Sequence, residues 1–160
     1  MNIAKGFDLE RPLVQLRWGA SEEELRVLLP AARQVAPGYV VSDCESMGCS
    51  SHRIGLHLNP KDDGGSLVEI EIFRADYSNW LDADWVVSFN DFETRLEATF
   101  GPSTETRPGD LGTTSHLWRV DGVVIVHMLN YRFGYEEYVR IKGPGQAPFG
   151  DTPGDHIFWP

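Results

Sequence analysis

Apolar and polar residues alternate through most of this chain, and the alternation is interrupted twice by stretches whose apolar positions fall at helical spacing. In LVEIEIF at 67–73, Val68, Ile70 and Ile72 point one way while Glu69 and Glu71 point the other. In RIGLHLN at 53–59, Ile54, Leu56 and Leu58 likewise oppose Arg53, His57 and Asn59. One face of the resulting sheet is therefore expected to be wet. The intervening KDDGG at 61–65 is a turn signal, so these two segments read as an antiparallel hairpin. VVIVHML at 123–129 is apolar on both faces, which suits a central strand partly covered by another element. Shorter strand signals are VV at 40–41, HLWRV at 116–120 and YVRI at 138–141.

The first helical stretch, SEEELRVLL at 21–29, opens with Ser21 and Glu24 in capping-box spacing, and Glu22 and Glu23 complement the positive end of the helix dipole. Leu25, Leu28 and Leu29 form its apolar stripe. Pro30 ends it, and PAARQV offers a second helical turn with proline at its first position. The second stretch, FNDFETRLEATF at 89–100, carries Phe89, Phe92, Leu96 and Phe100 on one side, with Ser88 or Asn90 as cap and Gly101-Pro102 as stop. A helix followed by three strands thus occurs twice. The pattern predicts one α+β domain over 1–160, built as two tandem helix-plus-three-strand units at 13–74 and 85–142, with an antiparallel sheet and both helices on one face. Residues 143–160, rich in glycine and proline, read as an irregular arm. Expected core positions are Leu25, Leu28, Ile54, Leu56, Ile70, Phe92, Leu96, Val124 and Val126.

A chain of 160 residues with 41% hydrophobic content can bury an ordinary core without disulfides or metals. Its formal charge of -10 opposes nucleic acid and anionic membranes and favours a basic partner. No apolar run reaches membrane-spanning length, and MNIAKGFDLERP carries no secretory signal, so the expected location is the cytoplasm.

Candidate chemistry is sparse. Cys44, Cys49, His52 and His57 fall close together and offer ligand types that zinc prefers, although they lack the paired-knuckle spacing of a structural zinc site. A Cys44 to Cys49 disulfide and two reduced thiols are the other readings of that segment. A thiolate enzyme using Cys44 or Cys49 with His116 or His127 has no local signature, and His127 within its apolar strand reads as a hydrogen-bonded core histidine. GPGQAPFG lacks the preceding strand and following helix of a phosphate loop. Neither catalysis nor a cofactor is expected. DYSNWLDADW at 76–85 interleaves Tyr77, Trp80 and Trp85 with Asp76, Asp82 and Asp84. That mixture suits capture of a basic partner, and its tryptophans equally suit a seam between the halves. The apolar tail at Ile157, Phe158 and Trp159 either anchors the arm or forms a contact.

The phrases LRWGASEEELRVLL and FGPSTETRPGDLGTTSHLWRVDGVVIVHML, in an acidic single-domain chain, resemble small bacterial toxin-immunity proteins. The doubled helix-plus-sheet order is similar to the tandem-repeat layout of β-lactamase inhibitor proteins. Those inhibitors are exported, whereas no secretory signal is readable here. The resemblance implies a binding protein that acts by occluding its partner, and it assigns no inhibitory residue by position. The combined expectation is a cytosolic module, monomeric or weakly dimeric, that binds a basic effector or toxin. Its contact surface would be formed by Tyr77, Trp80, Asp82, Asp84, Trp85, Glu69 and Glu71, with no nucleic acid or membrane partner. The alternative is a small enzyme or a zinc- or ligand-binding domain using Cys44, Cys49, His52 and His57.

Overall fold

In the computed structural model, residues 1–59, 65–74, 81–131 and 135–147 are described, leaving aside the side chains at 50, 51, 74, 83 and 131. The chain begins with a hairpin of β1 (Gly6–Leu9) and β2 (Val14–Arg17), then α1 (Glu22–Leu28). A four-strand meander follows: β3 (Arg33–Ala36), β4 (Tyr39–Ser46), β5 (Cys49–Leu58) and β6 (Leu67–Arg74). α2 (Asp82–Phe100) leads to a second meander of β7 (Glu105–Pro108), β8 (Thr114–Val120), β9 (Val123–Tyr131) and β10 (Tyr135–Lys142). All eight meander strands form one antiparallel sheet in the order β3-β4-β5-β6-β10-β9-β8-β7.

This corrects the layout expected from the sequence. Two helix-plus-three-strand units do not form; an eight-stranded sheet dominates, and its strands β6 and β10 pair directly. The helices are also unequal, α1 having 7 residues and α2 having 19. The missed strands are the short edges β3 and β7 and the N-terminal hairpin. Every residue of β3 is exposed, so RQVA shows no alternation and reads as a helical turn after Pro30. β7, ETRP, is also nearly all exposed and ends on Pro108.

The local chemistry explains the remaining elements. Ser21 and Glu24 make the expected reciprocal cap of α1. α2 begins at Asp82, well before Phe89, because Asp84 Oδ2 accepts from Leu81 N–H at 2.8 Å and Trp85 extends the apolar stripe one turn toward the N-terminus. Met47-Gly48 and Asp121-Gly122, all with positive φ, form the tight turns of the β4–β5 and β8–β9 hairpins.

Both helices and the β1–β2 hairpin pack on one face of the sheet. Phe7, Leu9, Leu16, Leu25, Leu29, Phe92 and Leu96 meet Ile54, Leu56, Ile70, Ile72, Val139 and Ile141 in one core. Of the expected core positions, Leu28 and Val124 are only half buried and the others are buried. The opposite face is less wet than its alternation suggests. Leu117, Val126 and Met128 are buried there, with Val124 and Tyr138 packed against them, and Glu69 is 7% exposed.

Leu96→Ala should cost about 2–5 kcal/mol in urea unfolding, because it empties a fully enclosed site. Val124→Ala, at a half-buried position, should cost about 1 kcal/mol or less.

Candidate functional site

Where β6 and β10 run side by side, Phe73 lies opposite Tyr138 and Glu71 opposite Arg140. This end of the sheet borders a cleft of about 230 Å³ lined by Tyr39, Glu71, Phe73, Trp85, Glu136, Glu137 and Tyr138. Three of these residues are carboxylates and four are aromatic. Among the described lining residues there is no lysine or arginine.

Each acid of the cleft has a structural anchor or faces solvent. The Tyr39 hydroxyl donates to Glu71 Oε2 at 3.0 Å, and its ring lies over Gly55, where any Cβ would collide with the phenol. His57 Nε2 stands 3.6 Å from the same carboxylate oxygen. Burial works to raise the Glu71 carboxyl, but His57, Arg140 and the Tyr39 hydroxyl outweigh it and hold it below the ordinary range. Glu71 is therefore ionised at neutral pH. Burial, with the Glu71 charge, pushes the Tyr39 phenol well above its usual value, and burial pushes Tyr138 up to about 12, so both remain protonated donors. Asn130 Nδ2 donates to the Tyr138 oxygen at 2.7 Å. Glu136 is exposed.

Glu137 joins the cleft to a buried network. Ser88 on α2 donates to its Oε2 at 2.6 Å, and its Oε1 lies 3.3 Å from His127 Nε2. His127, on β9, is fully buried and stacks on Phe89 with ring centroids 4.0 Å apart. Its Nδ1 meets Glu93 Oε2 at 2.7 Å. Burial alone would lower the His127 pKa, but hydrogen bonds to Glu137 and Glu93 raise it above the ordinary value. An imidazolium between two carboxylates is the consistent reading. The strand-buried His127 is thus the hydrogen-bonded core histidine that its apolar surroundings suggest.

Glu93 also approaches His116, whose Nδ1 lies 2.9 Å from Glu93 Oε1 and 3.0 Å from Ser103 Oγ. Burial lowers the His116 pKa against the pull of Glu93, favouring the neutral ring. Glu93, Glu97 and His116 are the one group among the described residues whose potential metal-ligating atoms converge.

The cysteine and histidine cluster read from the sequence does not converge. Cys44 lies opposite His52 in the β4–β5 ladder and Cys49 opposite Ser46. His52 faces the helix side, with its ring 4.8 Å from Phe92, whereas His57 faces Glu71 across the other side of the sheet. An odd residue separation along a strand produces that split. Both cysteines are buried and not bridged by a disulfide, and burial together with Asp43 and Glu45 pushes the Cys44 thiol up to about 12, which makes it a poor nucleophile.

The expected partner-binding residues are scattered. Tyr77 and Trp80 lie outside the described residues, as do Ile157, Phe158 and Trp159. Asp82 and Asp84 are exposed at the start of α2, and Trp85 is 5% exposed in a cluster with Phe89 and Leu129. Glu69 is ion-paired to Arg140. Of the described ones, Glu71 and Trp85 alone line the cleft. Tyr39, Phe73, Glu136, Glu137 and Tyr138 had no sequence signal beyond their places in alternating segments, because the β6–β10 pairing that gathers them joins distant parts of the chain. Family models, curated proteins and solved structures yield no match to this chain.

His127→Leu should cost about 3–5 kcal/mol in urea unfolding, since it leaves Glu93 and Glu137 buried without their shared cation. A loss below about 1 kcal/mol would show that the acids find other partners. The double variant Cys44→Ser/Cys49→Ser should remain folded, each change costing about 1–2 kcal/mol for the lost packing of a buried thiol. Thermal melts monitored by circular dichroism would check it.

Proposed function

We propose that this chain is a protein-binding module of the immunity type, which occludes a basic effector by taking an arginine or lysine side chain into the cleft beside Glu71, Glu136 and Glu137. The cleft carries this reading: three carboxylates stand with Tyr39, Phe73, Trp85 and Tyr138 and no described lining cation. Aromatic faces stabilise a cation electrostatically, the rings cover its apolar stem, and carboxylates supply charge-assisted hydrogen bonds. The size argues in the same direction. About 230 Å³ is below the roughly 300–1,000 Å³ of small-molecule sites, and is suited to one long side chain.

Charge extends the argument beyond the cleft. A net charge of -10, with exposed Asp82 and Asp84 at the start of α2, would steer a basic partner toward this end of the molecule. No helix among the described residues is long and apolar enough to cross a membrane. The absence of a disulfide between Cys44 and Cys49 suits a reducing compartment, and the cytoplasm is the location proposed. Cys44, Cys49 and His52 lie on the helix side but their ligand atoms do not converge with those of His57, which faces the other side, so the cysteine and histidine alternative gains no support.

The first test uses isotope-labelled protein and a short arginine-containing peptide, with the citrulline counterpart as the uncharged control. Amide shifts at Glu71, Glu136 and Tyr138 with the arginine peptide alone are expected; equal response to both peptides would remove the charge argument. With a protein partner in hand, the association rate should fall as salt screens charges beyond roughly 8 Å. Asp82→Asn/Asp84→Asn keeps an acceptor for the α2 cap and should mainly slow association. Tyr138→Ala should speed dissociation, by roughly 2 kcal/mol in affinity if the ring is an anchor. Trp85→Ala separates packing from contact: lowered thermal stability with normal binding by the folded fraction would assign the ring to the core alone.

A further inference from the structure

In the C-terminal half of α2, away from the cleft, three side chains from two elements direct ligand-type atoms at one point. Glu93 and Glu97 are one turn apart, so their carboxylates share a helix face. His116 reaches them from β8, and the ligand atoms of all three lie within 4.8 Å of one another. Glu93 and His116 are mostly buried while Glu97 is exposed, which leaves one side open to water.

Two observations set this group apart from an ordinary ion pair. Glu93 Oε1 is buried and accepts no hydrogen bond, although His116 Nδ1 is only 2.9 Å away. That nitrogen is also 3.0 Å from Ser103 Oγ. In the Nε2–H tautomer Nδ1 keeps its one lone pair, which takes either the Ser103 proton or a metal ion, and it lies beside a carboxylate oxygen. The two atoms then repel, and a cation between them would turn repulsion into shared attraction. The second observation concerns orientation. Glu93 Oε2 is held at 2.7 Å by buried His127, and the His116 ring stacks on Trp118 with centroids 5.8 Å apart. Both inner side chains are therefore positioned from behind, as metal ligands commonly are.

We propose that Glu93, Glu97 and His116 form a binding site for one divalent transition-metal ion of the zinc class. Two carboxylate oxygens and one imidazole nitrogen are a set that zinc accepts with a position left for water, whereas calcium and magnesium favour oxygen alone. Two ligands each about 2.1 Å from one ion stand roughly 3.0–3.4 Å apart, so the pair at 2.9 Å needs only a small opening. The ion would clasp α2 to β8; the site does not rest on cation capture at the cleft, though Glu93 reaches the cleft acid Glu137 through His127.

The test uses the full chain stripped with EDTA and titrated with Zn²⁺ by calorimetry, with thermal melts in the presence and absence of the ion. One saturable site per chain and a higher Tm with Zn²⁺ are expected. Glu97→Ala and His116→Gln should each weaken binding about tenfold or more, while Cys44→Ser/Cys49→Ser should bind as the parent does. Glu97 is exposed, so Glu97→Ala should match the parent's circular dichroism and metal-free Tm, and it decides the matter if His116→Gln fails to fold. Absence of binding, or unchanged affinity in Glu97→Ala, overturns the proposal. Loss of binding in the cysteine variant overturns it as well, moving the metal to Cys44 and Cys49.

Discussion

The pairing of β6 with β10 is the constraint on which the rest of the structure depends, because it alone joins the two meanders into one sheet. Its register places Ile72 opposite Val139 and Ile70 opposite Ile141, facing the helices, and leaves Phe73 opposite Tyr138 and Glu71 opposite Arg140 on the other side. A slip of one residue would exchange those faces, sending two glutamates into the core and two isoleucines out of it. The apolar penalty for that exchange fixes the register, and the register builds the cleft. Charge contributes on the opposite face, where Arg140 reaches diagonally to Glu69 and does not pair with Glu71, its direct neighbour in the ladder.

α2 reads this sheet at several points along its length. Its apolar stripe supplies most of the burial, but polar contacts specify where it sits: Ser88 to Glu137 on β10, Glu93 to His127 on β9, and Arg95 to the carbonyl of Gly48 in the β4–β5 turn at 3.2 Å. A stripe of Trp85, Phe89, Phe92 and Leu96 could slide along an apolar sheet at modest cost. Buried acids that lose their partners could not, because an unpaired buried charge costs several kcal/mol. The network thus does for helix position what side-chain alternation does for strand register.

This division explains what was legible in the sequence. Alternation identified the β5–β6 hairpin and the apolar strand β9, and capping chemistry identified the start of α1, since these signals lie within a few residues of one another. The edges β3 and β7 carried no signal because exposed edge strands bury no face. The start of α2 was misplaced because Ser88 and Asn90, plausible caps by type, sit inside a helix whose actual cap contact is Asp84 with Leu81. The candidate site suffered most, since Tyr39, Glu71, Glu137 and Tyr138 come from three strands and meet only through the β4–β5–β6–β10 order. His52 and His57 erred in the other direction. Their closeness in sequence suggested a common site, and the strand period of two separated them.

Glu137 connects the buried network with the acidic cleft, and it resolves a physical difficulty in having both. Three carboxylates around a small cleft repel one another, and partial burial increases that repulsion. Glu71 is offset by Tyr39, His57 and Arg140, and Glu136 is solvated at the rim, which leaves Glu137, 3% exposed, as the acid most in need of compensation. Its hydrogen bond from Ser88 and its contact with His127 provide that compensation from the core side, while its other surroundings open on the cleft. His127 is shared with Glu93, so one buried ring ties the acid on β10 to the acid on α2. That contact, with the hydrogen bond from Ser88, fixes the Glu137 carboxyl from behind, so an entering cation would meet oxygens already held in place.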